Sequence, residues 1–165
     1  MWRSLFGRDE EPPAEENAPS VSAAEPFADR MQARLSELSW TARRAGARLP
    51  VAALPQLGLI EDVLHPLLEH LRAHPPSVEE EIAVEAMVGD YLPTTMNAYL
   101  ALNPQFAMRP RPDGRTPGDD LLEQLRTLAT AIGELATAVY AHDAQQLQVQ
   151  GRFLSTKFSR SDLEL

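Results

Sequence analysis

Between Leu121 and Val139 the residues Leu121, Leu125, Leu128, Ile132, Leu135 and Val139 recur at steps of four, three, four, three and four. Steps that alternate this way keep apolar side chains on one stripe of an α-helix, and such a stripe has to be buried against other helices. The same period runs through two further stretches. Phe27, Met31, Leu35, Leu38, Ala42, Ala45 and Leu49 predict a helix over 27–48, and Leu57, Ile60, Leu64, Leu67, Leu68 and Leu71 predict one from about Pro55 to Ala73. Pro55 suits the first turn of a helix, whereas Pro66 cannot donate to the carbonyl of Asp62 and is expected to bend or split this one. No segment carries the period-two alternation of a half-buried strand. The expected fold is all-α, a single bundle of four to five helices with antiparallel neighbours.

A third helix is expected to open at Ser77, with Glu80 three residues on as its capping-box partner. Ile82, Ala86 and Gly89 lead into Tyr91-Leu92-Pro93-Thr94-Thr95, after which Met96, Tyr99 and Leu100 resume the period. One kinked helix or two short ones fit this pattern, because Pro93 leaves the carbonyl of Gly89 without its donor. A loop of about fourteen residues follows, Asn103 to Thr116, holding Pro104, Pro110, Pro112 and the turn pair Asp113-Gly114. Thr116-Pro117 then reads as an N-cap with Pro at the first helical position. A last, separate helix is expected over 144–158, with Leu147, Leu154 and Phe158 on one side and Phe153 beside them.

Residues 1–26 differ in kind. Asp9 to Pro26 holds six carboxylates and four prolines without an apolar period, the composition of a disordered acidic tail. Ahead of it Trp2, Leu5 and Phe6 alternate with Arg3 and Arg8, too short and too charged for a signal peptide or a membrane span. The domain division is thus a tail over 1–26 and a helical domain over 27–160.

Charge and composition exclude several functions. The 165 residues carry a formal charge of −9, so general nucleic-acid binding, which needs clustered Lys and Arg against phosphates, is not expected. The absence of cysteine removes disulfides, thiolate zinc sites and a thiol nucleophile. There is no phosphate-cradling glycine loop, no Gly-x-Ser-x-Gly elbow and no His-Glu-x-x-His pair.

What chemistry remains is sparse. His70 and His74 stand four apart, the minimal spacing for two metal ligands on one helix face, with His65 and Glu69 nearby. No carboxylate falls in phase with them one turn away, so the sequence assigns the pair to a helix C-terminus, where partial positive charge is favourable. Glu79, Glu80, Glu81 and Glu85 form the densest carboxylate group, which a helix N-terminus explains without a catalytic role. Arg109, Arg111 and Arg115 on the long loop have the fork geometry to grip an anion or an acidic partner, or the protein's own carboxylates. Neither a metal nor a cofactor is assigned.

The stretch Asp90-Tyr91-Leu92-Pro93-Thr94-Thr95-Met96-Asn97-Ala98-Tyr99-Leu100, followed by a loop and the helical run 121–142, resembles the XpaC family, named for hydrolysis of 5-bromo-4-chloroindolyl phosphate. The resemblance covers roughly 77–158, with Tyr140-Ala141-His142-Asp143 in the place of an acidic turn and Gln145–Phe158 as a final helix. It implies an association with toxic-anion-resistance proteins of the TelA type, and the family name implies phosphate-ester hydrolysis, for which no catalytic residues carry over. The chain departs from the family in having an acidic, proline-rich N-terminal tail.

The functional expectation is a non-enzymatic helical interaction or scaffold module, cytoplasmic and bacterial in style, with a protein partner, a TelA-type protein among the candidates. Its binding surface is expected beside the Pro93 bend, formed by Tyr91, Pro93, Thr94, Thr95 and Tyr99 and rimmed by Arg109, Arg111 and Arg115. One alternative is a phosphate-ester hydrolase in which the loop arginines converge with histidine or glutamate. The other is a peripheral adaptor held weakly at the inner face of the membrane by Trp2, Leu5 and Phe6.

Overall fold

The computed structural model describes residues 25–161, with side chains as far as Arg152. Residues 1–24, including Trp2, Leu5 and Phe6 and most of the acidic tail, lie outside the described residues.

The first helix, α1 (Phe27–Ala45), buries Met31, Leu35, Leu38 and Ala42 of its predicted stripe, and Ala28 in addition, while Phe27 and Ala45 are half-buried. It stops at Gly46, whose φ of 52° takes the backbone into the left-handed region that favours glycine. A single 3-10 turn, Gly46–Arg48, then returns the chain so that Leu49 plugs the core. α2 (Ala53–Ala73) buries all six residues expected of it, together with Ala53. Of the bend or split expected at Pro66, the split does not occur. Pro66 sits on the exposed face of an uninterrupted helix, where water can take the place of the donor that the Asp62 carbonyl has lost.

α3 (Val78–Glu85) opens on the predicted capping box: the Glu80 N–H donates to Ser77 Oγ at 3.3 Å and the Ser77 N–H donates back to Glu80 Oε2 at 2.8 Å. It runs without a break through a π-helical turn, Ala86–Tyr91, into α4 (Leu92–Leu100). The buried line is Val84, Val88, Leu92, Met96 and Tyr99, not the one through Ile82, which is 64% exposed. Three successive steps of four drift by about 40° each around an α-helix, so the line needs a correction to stay on the core. The wide turn supplies it by taking up an extra residue, with the Leu92 N–H donating to the Met87 carbonyl. Pro93 follows immediately, where no N–H is available to tighten the turn.

The expected loop after Leu100 contains a helical turn, α5 (Pro104–Ala107), capped by Asn103, which accepts from the Gln105 N–H at 2.9 Å. α6 (Pro117–Ser161) starts at the predicted Thr116 cap, with Asp119 donating its N–H to Thr116 Oγ1 and accepting from the Thr116 N–H. It does not stop near His142. The expected separate helix over 144–158 is the continuation of α6, because no Gly or Pro stands between Gly133 and Gly151 to end it.

The rods form a ring in the order α1, α2, α6, 78–100, each packed on two neighbours around one continuous core from Met31 to Val139. The expectation of antiparallel neighbours holds for two of the four faces. α1 opposes α2, as Asp29 meeting Arg72 requires, and 78–100 opposes α6, since Glu80 meets His142. α2 and α6 run parallel, with Pro50 beside Gly118 at one end and His70 beside Asp143 at the other. α1 and 78–100 are parallel too, pairing Arg34 with Glu85 and Arg48 with the Leu100 carbonyl. Consecutive rods alternate in direction, but the α2–α3 link crosses the diagonal of the ring. Between Tyr140 and Arg152 no residue is buried, and from Gln145 to Arg152 the side chains of α6 are exposed, Leu147 among them at 72%. No helix among the described residues is long and apolar enough to cross a membrane.

Candidate functional site

The antiparallel contact between α4 and the start of α6 leaves a groove on the surface. Tyr91 and Thr95 form one wall, and Gln124, Thr127 and Leu128 form the other, around a hollow of about 480 Å³. A second hollow of about 290 Å³ continues it past Ala98 and Leu102 towards Pro117, sharing Thr95, Asp120 and Gln124 with the first. Tyr91 stands half-exposed at 49%, a large ring held at the edge by the turn of helix beneath it.

The eight residues expected at a partner surface are dispersed around this groove. Tyr91 and Thr95 line it. Tyr99, only 6% exposed, packs into the core and lines the second hollow with one edge, and burial pushes its phenol above the usual range. Pro93 faces the other side of its helix, in a hollow shared with Arg34 and Leu38 of α1. Thr94 is exposed and donates to Asp90 at 3.1 Å. Arg109 lies over the Phe106 ring, 6.0 Å from its centroid, in a separate hollow with Gln105. Arg111 and Arg115 reach the end of the groove but are occupied there: Arg111 pairs with Asp120 at 2.6 Å, and Arg115 pairs with Asp120 at 3.3 Å and with Glu123. The Glu123 carboxylate raises the Arg115 guanidinium still further. These arginines clamp the loop onto the first turns of α6 rather than leaving an open cation at the rim.

At the opposite end of the bundle the histidines meet α6. His70 Nε2 lies 2.5 Å from Asp143 Oδ2, the His70 and His74 rings stack with centroids 4.5 Å apart, and Tyr140 meets His70 edge-on at 5.0 Å. One ligand atom from each of His70, His74 and Asp143 falls within 4.8 Å of the others. Alongside, His142 Nδ1 lies 3.1 Å from Glu80 Oε1, and Glu80 is the second member of the α3 capping box. Burial acts to raise the Glu80 carboxyl, but hydrogen bonds from the Ser77 N–H and from His142 outweigh it and hold the group below its ordinary 4.5.

Local spacing could not reveal Asp143, which is 73 residues from its histidine. A signal did exist. Asp143 stands four residues after Val139, on the continuation of the buried stripe, and His74 stands three after Leu71 on the stripe of α2. Both apolar lines end in a polar group at the same end of two parallel helices.

Asp120 and Asp143 lie 23 residues apart on α6, which at 1.5 Å per residue separates the arginine clamp from the histidines by about 35 Å. The loop arginines and the histidines therefore share no pocket. Comparison with models of known protein families, with curated proteins and with solved structures finds no match.

Proposed function

We propose that this chain is a non-enzymatic helical interaction module that receives a partner helix in the groove between α4 and the start of α6. The observation that carries the reading is the groove itself, whose two walls run antiparallel from Tyr91 to Leu102 and from Pro117 to Leu128. Residues 117–128 of α6 span about 18 Å, just over three turns, which matches anchors at i, i+4 and i+7 of an incoming amphipathic helix. Tyr91 and Leu128 supply apolar contact, while Thr95, Gln124 and Thr127 supply adaptable hydrogen bonds. The Asp120–Arg111–Arg115–Glu123 clamp fixes one end without offering a net charge, so recognition depends on shape and apolar contact more than on attraction. The resemblance to XpaC proteins in 90–100 makes a TelA-type protein the first partner to try.

The hydrolase alternative required the arginines to converge with histidine or glutamate around one phosphate. The histidines stand about 35 Å along α6 from the arginine clamp, and Glu123, the glutamate that does meet Arg115, is held by it in an ion pair, which gives the alternative no support.

Affinity capture of a purified TelA-type partner on the immobilised full chain tests the proposal. Tyr91→Ala, which removes the edge ring, and Thr127→Arg, which fills the hollow, each weaken capture at least about tenfold. Undiminished capture by both variants would remove the groove from the account.

A further inference from the structure

We propose that His70, His74 and Asp143 form a binding site for a divalent transition-metal ion of the zinc class, linking the end of α2 to α6 at the point where α6 leaves the bundle. Two imidazoles and a carboxylate are a three-ligand set that suits zinc, with the remaining position left to water. In such a shell the ligand atoms stand about 3.3 Å apart when the bonds are 2.0–2.1 Å. The three groups already lie within 4.8 Å of one another, so side-chain rotation alone closes the set. The 2.5 Å contact between His70 Nε2 and Asp143 Oδ2 is a hydrogen bond that the ion would replace, opening the pair by less than about 1 Å.

Two further contacts favour coordination. His74 Nδ1 lies 3.2 Å from the His70 carbonyl, an arrangement in which Nδ1–H donates and the lone pair remains on Nε2. A ligating histidine whose second nitrogen donates to a backbone carbonyl is held in the correct tautomer and orientation. Tyr140, edge-on to His70 at 5.0 Å, limits the swing of the other ring. The donor set also sets selectivity. Imidazole nitrogens favour zinc, nickel and copper, whereas calcium and magnesium require oxygen shells that this site lacks.

His70 and Asp143 come from helices whose register is fixed by the core, and His74 caps the end of α2 with its N–H on the His70 carbonyl, so binding stabilises the folded chain and not the unfolded one. The site lies 15 residues along α6 from Leu128, the near end of the groove, or about 22 Å, and its outcome is independent of the partner reading.

The test uses the full chain without a histidine tag, stripped of metal with chelator, and Zn²⁺ alone as the probe. Calorimetric titration is expected to give one ion per chain, and the thermal midpoint is expected to rise by roughly 5–10 °C at a hundredfold excess over Kd. Co²⁺ in place of Zn²⁺ is expected to give the intense visible band of a four-coordinate ion. His74→Ala, at an exposed position, keeps the metal-free midpoint while weakening Zn²⁺ binding at least about tenfold. Asp143→Asn weakens it similarly, and His65→Ala, on another face of α2, leaves it unchanged. Absence of Zn²⁺ binding overturns the proposal, as does binding that survives both His74→Ala and Asp143→Asn, or an equal response to Mg²⁺.

Discussion

Ile132 and Gly133 are chain neighbours whose substitutions have opposite effects. Ile132 is fully buried in the shared core, so Ile132→Ala removes apolar contact and leaves a cavity, at a cost of about 2–5 kcal/mol. Gly133 lies inside α6, and a Cβ built there meets nothing within 4 Å. Gly133→Ala therefore gains helix propensity without a clash and stabilises by about 1 kcal/mol. Urea denaturation of the two variants should displace the midpoint in opposite directions. Single residues also show where reading by type misleads. Tyr99 and Tyr91 have the same chemistry and stand eight apart, yet Tyr99 is packed into the core with only an edge on the second hollow, while Tyr91 stands half-exposed at the edge of the first. The wide turn before Leu92 decides which tyrosine faces in.

Among the elements, the start of α3 is held by a device with its own pH dependence. Ser77→Ala removes one half of the capping box and is expected to cost about 1 kcal/mol. The Glu80 carboxyl is held below 4.5 in the folded chain, so its contribution to stability is fully present above that value and is lost as pH falls through the lower folded one. The thermal midpoint of the native chain is expected to drop more steeply with acidification below about pH 4.5 than that of Glu80→Gln, because the variant has no proton to bind there. A midpoint curve unchanged by Glu80→Gln would show that the cap contributes nothing to the acid limb. The signal for this element was local and therefore legible: Ser77 and Glu80 touch because they are three residues apart.

For the whole molecule, stability should be distributed unevenly along α6. Leu121, Leu125, Ile132 and Val139 are buried, while the side chains over 145–152 are exposed. Native-state hydrogen exchange is expected to protect amides over 121–139 up to the global unfolding free energy, and to find those over 145–152 opening locally with far less protection. Equal protection along the two stretches would mean that the distal half is covered in solution. The same asymmetry explains an error of reading at this scale. The stretch beyond His142 looks like another bundle helix, but Leu147, the one residue of its expected stripe whose side chain is described, is exposed, and a stripe states only that a face is apolar, not that a neighbour exists to cover it.

The sequence by itself determined the helical class, the stripes of α1, α2 and α6, and the caps at Ser77 and Thr116, because each depends on residues within one or two turns of each other. Only the tertiary structure decided that α2 and α6 run parallel, that Arg111 and Arg115 are consumed by Asp120 and Glu123, and that Asp143 arrives beside His70. Those outcomes follow from how four rods pack around a shared core and which ends they bring together, and helical periodicity encodes which face of a rod is buried without encoding which rod will bury it.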